Sequence, residues 1–338
     1  MASILFIHPA WQVGGVERTN IQWAKALLLD GHSITFATTH GIEKPADVPQ
    51  EISWVSVGRD SFALFRKMIS FSWNFDITFV CQSYLLPRLI AGQMLNLRFA
   101  KNVILAERNA FEQYNGYGLK GAVRSLIAAA QIRSMRHVVV NSEYIRNQYP
   151  FSGKRDVKVV QNPRFDNEHD VLPDIGDRLY EPERVVFIGR WDEQKDTEFL
   201  LKFDGLCRKS GWDFLAFCGR TDLPFQRNFL QDPLQYMASE KIALLFCSKF
   251  EGYPNMLVEA RAAGIPILAA HCPGGSREIL AGYDNTVEFS KQNDASVVEA
   301  LCKLRKTFRV RPDRDFVAKH CVQNSEIRGY VSSYLRSL

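Results

Sequence analysis

The sequence lacks the patterns that identify several large classes of protein. No apolar run reaches the length of about 18 residues that a membrane-spanning helix needs. The first residues carry no basic segment of the kind that opens a secretory signal, and the seven cysteines form no C-x-x-C pair. We therefore expect a cytoplasmic protein with neither a disulfide framework nor a zinc knuckle.

The composition is that of an ordered globular protein. The 338 residues are 46% hydrophobic, 12% aromatic and 23% charged. This length favours two domains of about 150 residues each. The formal net charge of +5 arises entirely in the first 170 residues, since acidic and basic residues balance over the remainder. We interpret the excess as a basic surface on the first domain, and we expect no nucleic-acid partner.

Short apolar segments alternate with helical patterns in both halves of the chain. Such alternation predicts an α/β protein whose parallel sheets are covered by helices on both faces. We predict two domains, residues 1–165 and 180–315, and a final helix at 316–338 that packs back toward the first domain. The predicted strands are 3–7, 33–38, 76–80, 102–105, 137–140, 184–188, 214–218, 242–247 and 265–269, and the main predicted helices are 16–30, 197–209, 256–263 and 315–335.

A glycine pair, Gly14-Gly15, separates the first predicted strand from the first predicted helix. Glycine lets the backbone approach a ligand closely, and a helix start offers N–H groups and a positive dipole end to phosphate oxygens. The turn does not have the G-x-G-x-x-G spacing of a dinucleotide site. Gly15 is therefore a candidate phosphate contact, and a purely structural glycine turn is the alternative.

Gly189, Arg190 and Lys195 follow the first predicted strand of the second domain. Open α/β sheets bind their ligands at the carboxyl ends of the strands. Two cations at that edge would neutralise a diphosphate leaving group without a metal ion. The alternative is that both are solvated surface cations.

Glu251 and Glu259 flank the start of a predicted helix that Asn255 is expected to cap. The N–H groups of Met256 and Leu257 would then face a phosphate placed at the helix start. Two carboxylates beside an anion do not favour stability, so we expect them to accept hydrogen bonds from sugar hydroxyls. The alternative is a capped helix with two surface glutamates.

Glu251 and Glu259, with seven residues between them, resemble the Glu-x7-Glu signature of glycosyltransferase family four, whose members are retaining enzymes. The resemblance covers nearly the whole chain in the expected order. It implies a GT-B fold, in which two Rossmann-like doubly wound parallel-sheet domains face a central cleft. The other matching segments are Gly14-Gly15-Val16-Glu17, Asn141-Ser142-Glu143, Asn162-Pro163, Gly189-Arg190 with Lys195, and Pro273-Gly274-Gly275 with Glu278.

The resemblance also implies a role for each matching residue. Glu259 would hold the ribose of the nucleotide, and Glu251 would contact hydroxyls of the transferred sugar. Arg190 and Lys195 would stabilise the departing diphosphate, with Gly15 against it from the first domain. Attack from the front face, with the leaving phosphate helping to take the acceptor proton, implies no metal ion and no other cofactor. The backbone that binds the donor would be that of Gly189, Gly252, Tyr253, Pro254, Asn255, Met256 and Leu257.

Arg108 departs from the family pattern, which often has a histidine near the reactive carbon of the donor sugar. Arginine keeps its proton, so it could only donate hydrogen bonds or stabilise charge. We include Arg108 among the candidate catalytic residues, and an arginine paired with Glu107 for structural reasons is the alternative. The only Asp-x-Asp tripeptide, Asp313-Arg314-Asp315, follows no predicted strand and is expected to open a helix rather than to hold a metal.

These residues predict a retaining, metal-independent hexosyltransferase of surface polysaccharide or lipopolysaccharide biosynthesis. A UDP-sugar is the favoured donor, with GDP-mannose as the alternative, and the acceptor would be a glycan or a lipid-linked sugar. Residues 62–73 and 119–135 combine basic and apolar side chains, which is typical of helices on anionic membranes and also of helices that cover a sheet. We expect peripheral contact with the inner face of the cell membrane. A nucleotide-sugar epimerase of GT-B fold and a non-catalytic nucleotide-sugar-binding protein are the competing interpretations.

Overall fold

The computed structural model describes residues 1–8, 14–38, 43–46, 48–56, 75–81, 102–111, 123, 125–126, 129–130, 132–133, 135–148, 156–165, 176–321 and 324–337. The chain folds into two compact units. Unit 1 comprises Met1–Arg164 and Val322–Leu338, and unit 2 comprises Phe165–Cys321.

Unit 1 is built on a seven-stranded sheet in which every pairing is parallel. Its strands are β1 (Ser3–His8), β2 (Ser33–Thr38), β3 (Ser53–Ser56), β4 (Ile77–Val80), β5 (Val103–Glu107), β6 (His137–Val140) and β7 (Asp156–Val159). The central strands β4 and β5 are buried along their whole length, as expected of parallel strands covered on both faces. The order β3-β2-β1-β4-β5-β6-β7 reverses direction between β1 and β4.

Unit 2 contains a six-stranded parallel sheet with the same kind of order. A separate antiparallel pair joins β8 (Arg178–Tyr180), which precedes the strands of this sheet in the sequence, to β15 (Phe308–Val310), which follows them. The sheet strands are β9 (Arg184–Ile188), β10 (Asp213–Phe217), β11 (Gln226–Arg227), β12 (Ile242–Phe246), β13 (Ile267–Ala270) and β14 (Thr286–Phe289). The order β11-β10-β9-β12-β13-β14 reverses between β9 and β12.

The helices of the described residues connect and cover these strands. They are α1 (Gly15–Leu29), α2 (Glu143–Gln148), α3 (Thr197–Lys209), α4 (Pro233–Ser239), α5 (Asn255–Ala262), α6 (Ser276–Leu280), α7 (Asp294–Lys303), α8 (Arg314–Ala318) and α9 (Ser325–Ser337). None of them is long and apolar enough to cross a membrane.

The core of unit 1 has two layers because alternate residues of each strand point to opposite faces of the sheet. Along β1, Phe6 joins one layer together with Trp23 of α1, whereas Leu5 joins the other. The C-terminal helix α9 completes the first layer, and Arg328 on it pairs with Asp30 at the end of α1. The last helix of the chain therefore belongs to unit 1.

The core of unit 2 is one continuous cluster around its sheet. Helix α3 contributes an apolar stripe at helical spacing that includes Phe199 and Phe203. Phe203 meets Phe214 of β10 edge to face at 5.1 Å, and Phe199 stacks on Phe289 of β14 at 5.7 Å. These ring contacts fix α3 against the sheet, so the loop that precedes α3 ends at a fixed position.

The two parallel sheets confirm the predicted α/β fold class, since both have the doubly wound order of Rossmann-like domains. The prediction of one helix over residues 315–335 is wrong, because α8 ends at Ala318 and α9 begins at Ser325. Between them the His320 carbonyl accepts a hydrogen bond from the N–H of Phe165, and Cys321 forms a β-bridge with Phe165. The helical conformation is therefore interrupted at this bridge, just before the chain enters the segment of unit 1 that begins at Val322.

Candidate functional site

The reversal of strand order between β9 and β12 locates the candidate site of unit 2. Crossovers from these two neighbouring strands run in opposite directions, which opens a crevice at their carboxyl ends where doubly wound sheets bind ligands. The loop after β9, residues 189–196, is called the clamp loop below. The loop after β12, residues 247–254, is called the glutamate loop. The predicted Arg190, Lys195 and Glu251 lie on these two loops.

The clamp loop folds as a short 3-10 turn over Glu193–Lys195. Asp192 caps this turn by accepting a hydrogen bond from the N–H of Lys195 at 3.1 Å. Arg190 pairs with the same Asp192 at 3.2 Å, and its side chain is 46% exposed. The structure therefore places Arg190 at an accessible position beside the crevice, with a carboxylate as its partner.

Glu251 is the centre of a network of side chains. One of its oxygens accepts hydrogen bonds from Ser248 Oγ at 2.8 Å and from Lys195 Nζ, and the other accepts from Gln194 Nε2 at 3.3 Å. The side chain of Glu251 is only 9% exposed, and that of Lys195 is 19% exposed. Lys195 is thus not a solvated surface cation, because it forms an ion pair with Glu251.

Ser248 and Gln194 were not identified from the sequence. Their only signal is that each lies close along the chain to a residue of a matching motif. The two loops are also joined through their backbones, since the N–H of Lys249 donates to the Gln194 carbonyl at 2.8 Å. The Cys247 thiol donates to the Lys195 carbonyl at 3.6 Å, and burial raises the pKa of Cys247 to about 12, so the donor proton is retained.

A third loop, residues 271–275, packs against the glutamate loop. The N–H of Glu251 donates to the Pro273 carbonyl at 2.9 Å, and the N–H of Gly275 donates to the Gly252 carbonyl at 2.7 Å. Gly274 has φ +126°, and a Cβ there would lie 1.9 Å from the Glu251 carbonyl oxygen. Only glycine fits this position, so Gly274 allows the close contact that orients Glu251.

Helix α5 begins at Asn255, and the predicted capping role of Asn255 is wrong. Pro254 occupies the N-cap position with φ −70°, and no side chain caps the helix. The N–H of Leu257, which is predicted to face a phosphate, donates to the Pro254 carbonyl at 3.0 Å. The helix therefore begins one residue earlier than predicted, after a proline whose ψ of 110° is the extended conformation usual at an N-cap. Glu259 lies one turn into α5 and is buried, with 1% of its surface exposed.

Tyr253 of the glutamate loop is anchored by His320. A carbonyl can only accept, so the His320 Nδ1 that lies 2.8 Å from the Phe316 carbonyl carries the proton. His320 Nε2 must then accept from the Tyr253 hydroxyl, at 3.1 Å. Burial lowers the pKa of His320 to about 4, and the imidazole is therefore neutral at physiological pH. The backbone of the glutamate loop is held on this side by a neutral histidine.

In unit 1 the corresponding reversal lies between β1 and β4. Helix α1 starts beside it at Gly15, with Gly14 as a backbone N-cap. Arg108 follows β5 and is 4% exposed, with its guanidinium 4.0 Å from the centre of the Trp23 ring. Burial lowers the pKa of Arg108 to about 10, and the side chain still carries its charge at neutral pH.

The guanidinium of Arg108 donates no hydrogen bond to any residue that the structure describes. Glu107 Oε1 instead accepts from the backbone N–H groups of Arg108 and Asn109, at 3.0 and 3.1 Å. Glu107 therefore contacts Arg108 through the backbone N–H of Arg108. Glu17 and Glu107 both lie close enough to favour the charged form of Arg108.

Other predictions concern metals and the acceptor side. Over the described ranges, no group of three or more His, Cys, Asp or Glu side chains is arranged to hold a metal ion. Asp313 caps α8 by accepting from the N–H of Phe316 at 3.1 Å, as predicted for a helix start. Residues 62–73 lie outside the described residues, as does much of 119–135. Within the latter segment Val123 is 50% exposed and Leu126 is 70% exposed.

Comparison with known proteins finds no family model that matches the chain. An uncharacterized glycosyltransferase of Haemophilus influenzae is 22% identical over 321 residues, which cover 88% of each chain. The lipopolysaccharide 1,6-galactosyltransferase of Salmonella typhimurium is 29% identical over 148 residues, 37% of this chain and 40% of the relative.

Solved structures resemble the chain along its whole length. Anabaena HepE, in complex with UDP and glucose, is 15% identical over 100% of both chains with a TM-score of 0.69. The apo form of WaaB, a lipopolysaccharide outer core galactosyltransferase, is 17% identical over 99% of this chain and 100% of its own, with a TM-score of 0.66. These structures show the GT-B fold, and the sequence relatives support a glycosyltransferase.

Proposed function

We propose that the chain is a retaining hexosyltransferase that moves a sugar from a nucleotide-diphosphate donor to a glycan or lipid-linked acceptor without a metal ion. The observation that carries the proposal is the network around Glu251 at the strand-order reversal of unit 2. A buried carboxylate is oriented there by three side chains, one of which is the cation of Lys195. In the proposed reaction a carboxylate accepts hydrogen bonds from the hydroxyls of the transferred sugar, and a cation stabilises the leaving phosphate. This network contains both groups.

In the proposed reaction the acceptor oxygen bonds to the anomeric carbon as the bond from that carbon to the diphosphate breaks. The acceptor proton passes to the leaving phosphate, so the step needs no protein base. Negative charge grows on the diphosphate, and Arg190 and Lys195 stabilise it. Lys195 is largely shielded from water, which strengthens its attraction for phosphate oxygens. Since these charges are fixed in the protein, we expect activity to survive EDTA, and full loss with recovery in manganese would contradict the proposal.

A UDP-sugar is the favoured donor, because HepE was solved with UDP and glucose. GDP-mannose is the alternative. Thermal unfolding in the presence of UDP-, GDP- and ADP-sugars tests this choice, since a bound donor stabilises the folded protein by mass action. A rise in melting temperature with GDP-mannose alone would instead identify a GDP-sugar as the donor.

The proposed acceptor belongs to surface polysaccharide or lipopolysaccharide biosynthesis, as the name of the Salmonella relative suggests. A lipid-linked acceptor requires contact with a membrane surface. The exposed Val123 and Leu126, three residues apart in the basic segment 119–135, suit such contact. We expect the protein to pellet with anionic vesicles at low salt and to be released at high salt, whereas Val123→Ser with Leu126→Ser should pellet less. Wild-type protein that stays in the supernatant would favour a soluble acceptor.

The experiment that tests the function is turnover of a radiolabelled nucleotide sugar with and without an acceptor extract. Product that requires both partners, with the anomeric configuration of the donor, supports the proposal. Conversion of the donor alone to its epimer would identify the nucleotide-sugar epimerase instead. Donor binding without any turnover would identify a non-catalytic nucleotide-sugar-binding protein.

A further inference from the structure

We propose that Lys291 and Asp196 form a strap that sets the position of the clamp loop relative to the glutamate loop. The strap would hold Lys195 and Glu251 at the separation that sugar transfer needs. This inference rests on the proposed function and assigns two positioning residues to it.

Lys291 lies just after β14 and reaches both loops with one ammonium group. Its Nζ donates to Asp196 Oδ2 at 2.6 Å, to the Cys247 carbonyl at 2.9 Å and to the Ser248 carbonyl at 3.4 Å. An ammonium group has three protons, so the three contacts use all of them. One side chain from the loop after β14 thus joins the end of the clamp loop to the start of the glutamate loop.

Asp196 is suited to this contact because its two oxygens have different partners. Oδ1 accepts from the N–H of Phe199 at 3.4 Å and caps α3, while Oδ2 accepts from Lys291. Its backbone is left-handed, with φ 60° and ψ 60°, a conformation that Asp and Asn tolerate better than most residues. The strap is therefore attached to the rigid start of α3, one residue after Lys195.

The contacts of the strap lead directly to the proposed site. Ser248 gives its carbonyl to Lys291 and its hydroxyl to Glu251. A shift of Lys291 would therefore move the residue that holds Glu251 and the residue that follows Lys195. The side chains of Lys291 and Asp196 are only 20% and 13% exposed, so water does not compete strongly for this pair. Displacement of a positioned group by about 1 Å can lower a rate by about a hundredfold.

Kinetics of three variants test the strap. We expect Lys291→Met and Asp196→Asn each to lower kcat by about tenfold, with the KM for donor changed less than about threefold. Asparagine keeps the helix cap and tolerates the left-handed backbone, so Asp196→Asn removes only the ion pair. The double variant should be no slower than the slower single variant, because the Lys291–Asp196 ion pair is already lost in each single variant. Additive losses, or a loss confined to KM, would overturn the proposal.

A second pair in unit 2 gives the matched control. Lys202 pairs with Asp294, with side chains 46% and 54% exposed, and this pair joins α3 to α7 without touching either loop. Lys202→Met should leave kcat unchanged, and Lys291→Arg should recover part of the loss. If Lys202→Met were as slow as Lys291→Met, the effect would be a general loss of stability and the strap would be rejected.

A measurement on the unliganded protein separates the strap from the proposed function. Acetylation of Lys195, followed by mass spectrometry with the exposed Lys241 as internal reference, reports how firmly the clamp loop is held. We expect about threefold faster acetylation in Lys291→Met and in Asp196→Asn than in wild type or Lys202→Met. Equal rates in all four proteins would overturn the strap even if transfer is observed. Absence of transfer by the wild type would refute the proposed function, while the acetylation rates would still decide the strap.

Discussion

The sheets of the two units reverse their strand order in the same way, but the charged side chains beside the two reversals are held differently. In unit 2, Lys195 pairs with Glu251 and Arg190 pairs with Asp192. In unit 1, Arg108 lies buried over Trp23 and donates no side-chain hydrogen bond within the described part of the chain. One topology thus supports a site whose cations are paired and another whose cation has no hydrogen-bond acceptor among the described residues.

This difference bears on what each group gains when a ligand binds. A cation that already has a carboxylate partner is held in position, so an arriving phosphate finds it preorganised. A buried guanidinium that finds no acceptor among the described residues is costly to desolvate, which lowers the stability of the fold. The ion pairs of unit 2 therefore hold the side chains of Arg190 and Lys195 in position. Arg108, by contrast, would gain hydrogen bonds from an added acceptor.

The most severe test of the paired site is Lys195→Ala. The substitution removes a cation from the leaving phosphate and leaves Glu251 without its ion pair, so we expect kcat to fall by about a thousandfold, or about 4 kcal/mol. Donor affinity measured by calorimetry should change less, because the charge develops in the transition state. Lys249→Ala, on the same pair of loops, is the matched control, since Lys249 is 41% exposed and faces Glu193 at 3.9 Å. Intact kcat with weakened donor binding would show that Lys195 only binds the ground state.

A pH titration sharpens the comparison through His320, which anchors the glutamate loop of unit 2. Its folded pKa of about 4 lies below the usual 6.5, so the unfolded chain binds a proton between these values and the folded chain does not. The free energy of unfolding should therefore fall by about 3 kcal/mol as the pH drops from about 7 to 4.

The variant His320→Gln should lose this part of the pH dependence in urea unfolding, since glutamine does not titrate. His32 in unit 1 is the comparison, because burial lowers its pKa as well but only part of its ring is shielded. His32→Gln should remove a smaller slope of the same sign. Equal slopes for wild type and His320→Gln would mean that folding does not lower the pKa of His320.

Much of the fold could be predicted from local sequence. The predicted segments 33–38, 137–140 and 184–188 coincide with β2, β6 and β9, because apolar runs of this length are typical of strands covered on both faces. Strands β3, β7, β11 and β14 were missed, since they lie at the edges of their sheets and carry polar residues. The separate short pair of β8 with β15 was missed as well. Strand order could not be predicted either, because neighbours in a sheet are selected by packing between distant segments.

The site was predictable only in part for a similar reason. Glu251 and Lys195 were found because each belongs to a motif, but their ion pair joins residues 56 positions apart. Gln194, Ser248 and Lys291 come from three different loops, and nothing in their spacing indicates that they meet. The Asn255 cap was wrong because the sequence rule favours asparagine at an N-cap, whereas the neighbouring proline took that position.

Within unit 2, Glu259→Ala distinguishes donor binding from transfer. The loss of a buried acceptor for ribose hydroxyls should weaken donor affinity by about 2 kcal/mol, or about thirtyfold. The exposed Glu198→Ala on α3 is the matched control and should bind donor like wild type. Unchanged affinity in folded Glu259→Ala protein, measured by calorimetry, would remove Glu259 from the site.

The smallest expected effect tests the unit 1 side of the comparison, through Arg108→Met. Methionine has a similar length and no charge. The variant therefore loses a cation–π contact, and it also loses a buried charge that finds no acceptor in the part of the chain that the structure describes. We expect the free energy of unfolding to stay level or to rise by about 1 kcal/mol, while transfer falls about tenfold. Arg178→Met, which removes a guanidinium 5.1 Å from the Tyr180 ring in unit 2, should leave transfer unchanged. Lower stability with normal transfer would instead make Arg108 a structural residue, because a group retained for catalysis is the one whose removal relieves the fold and impairs the reaction.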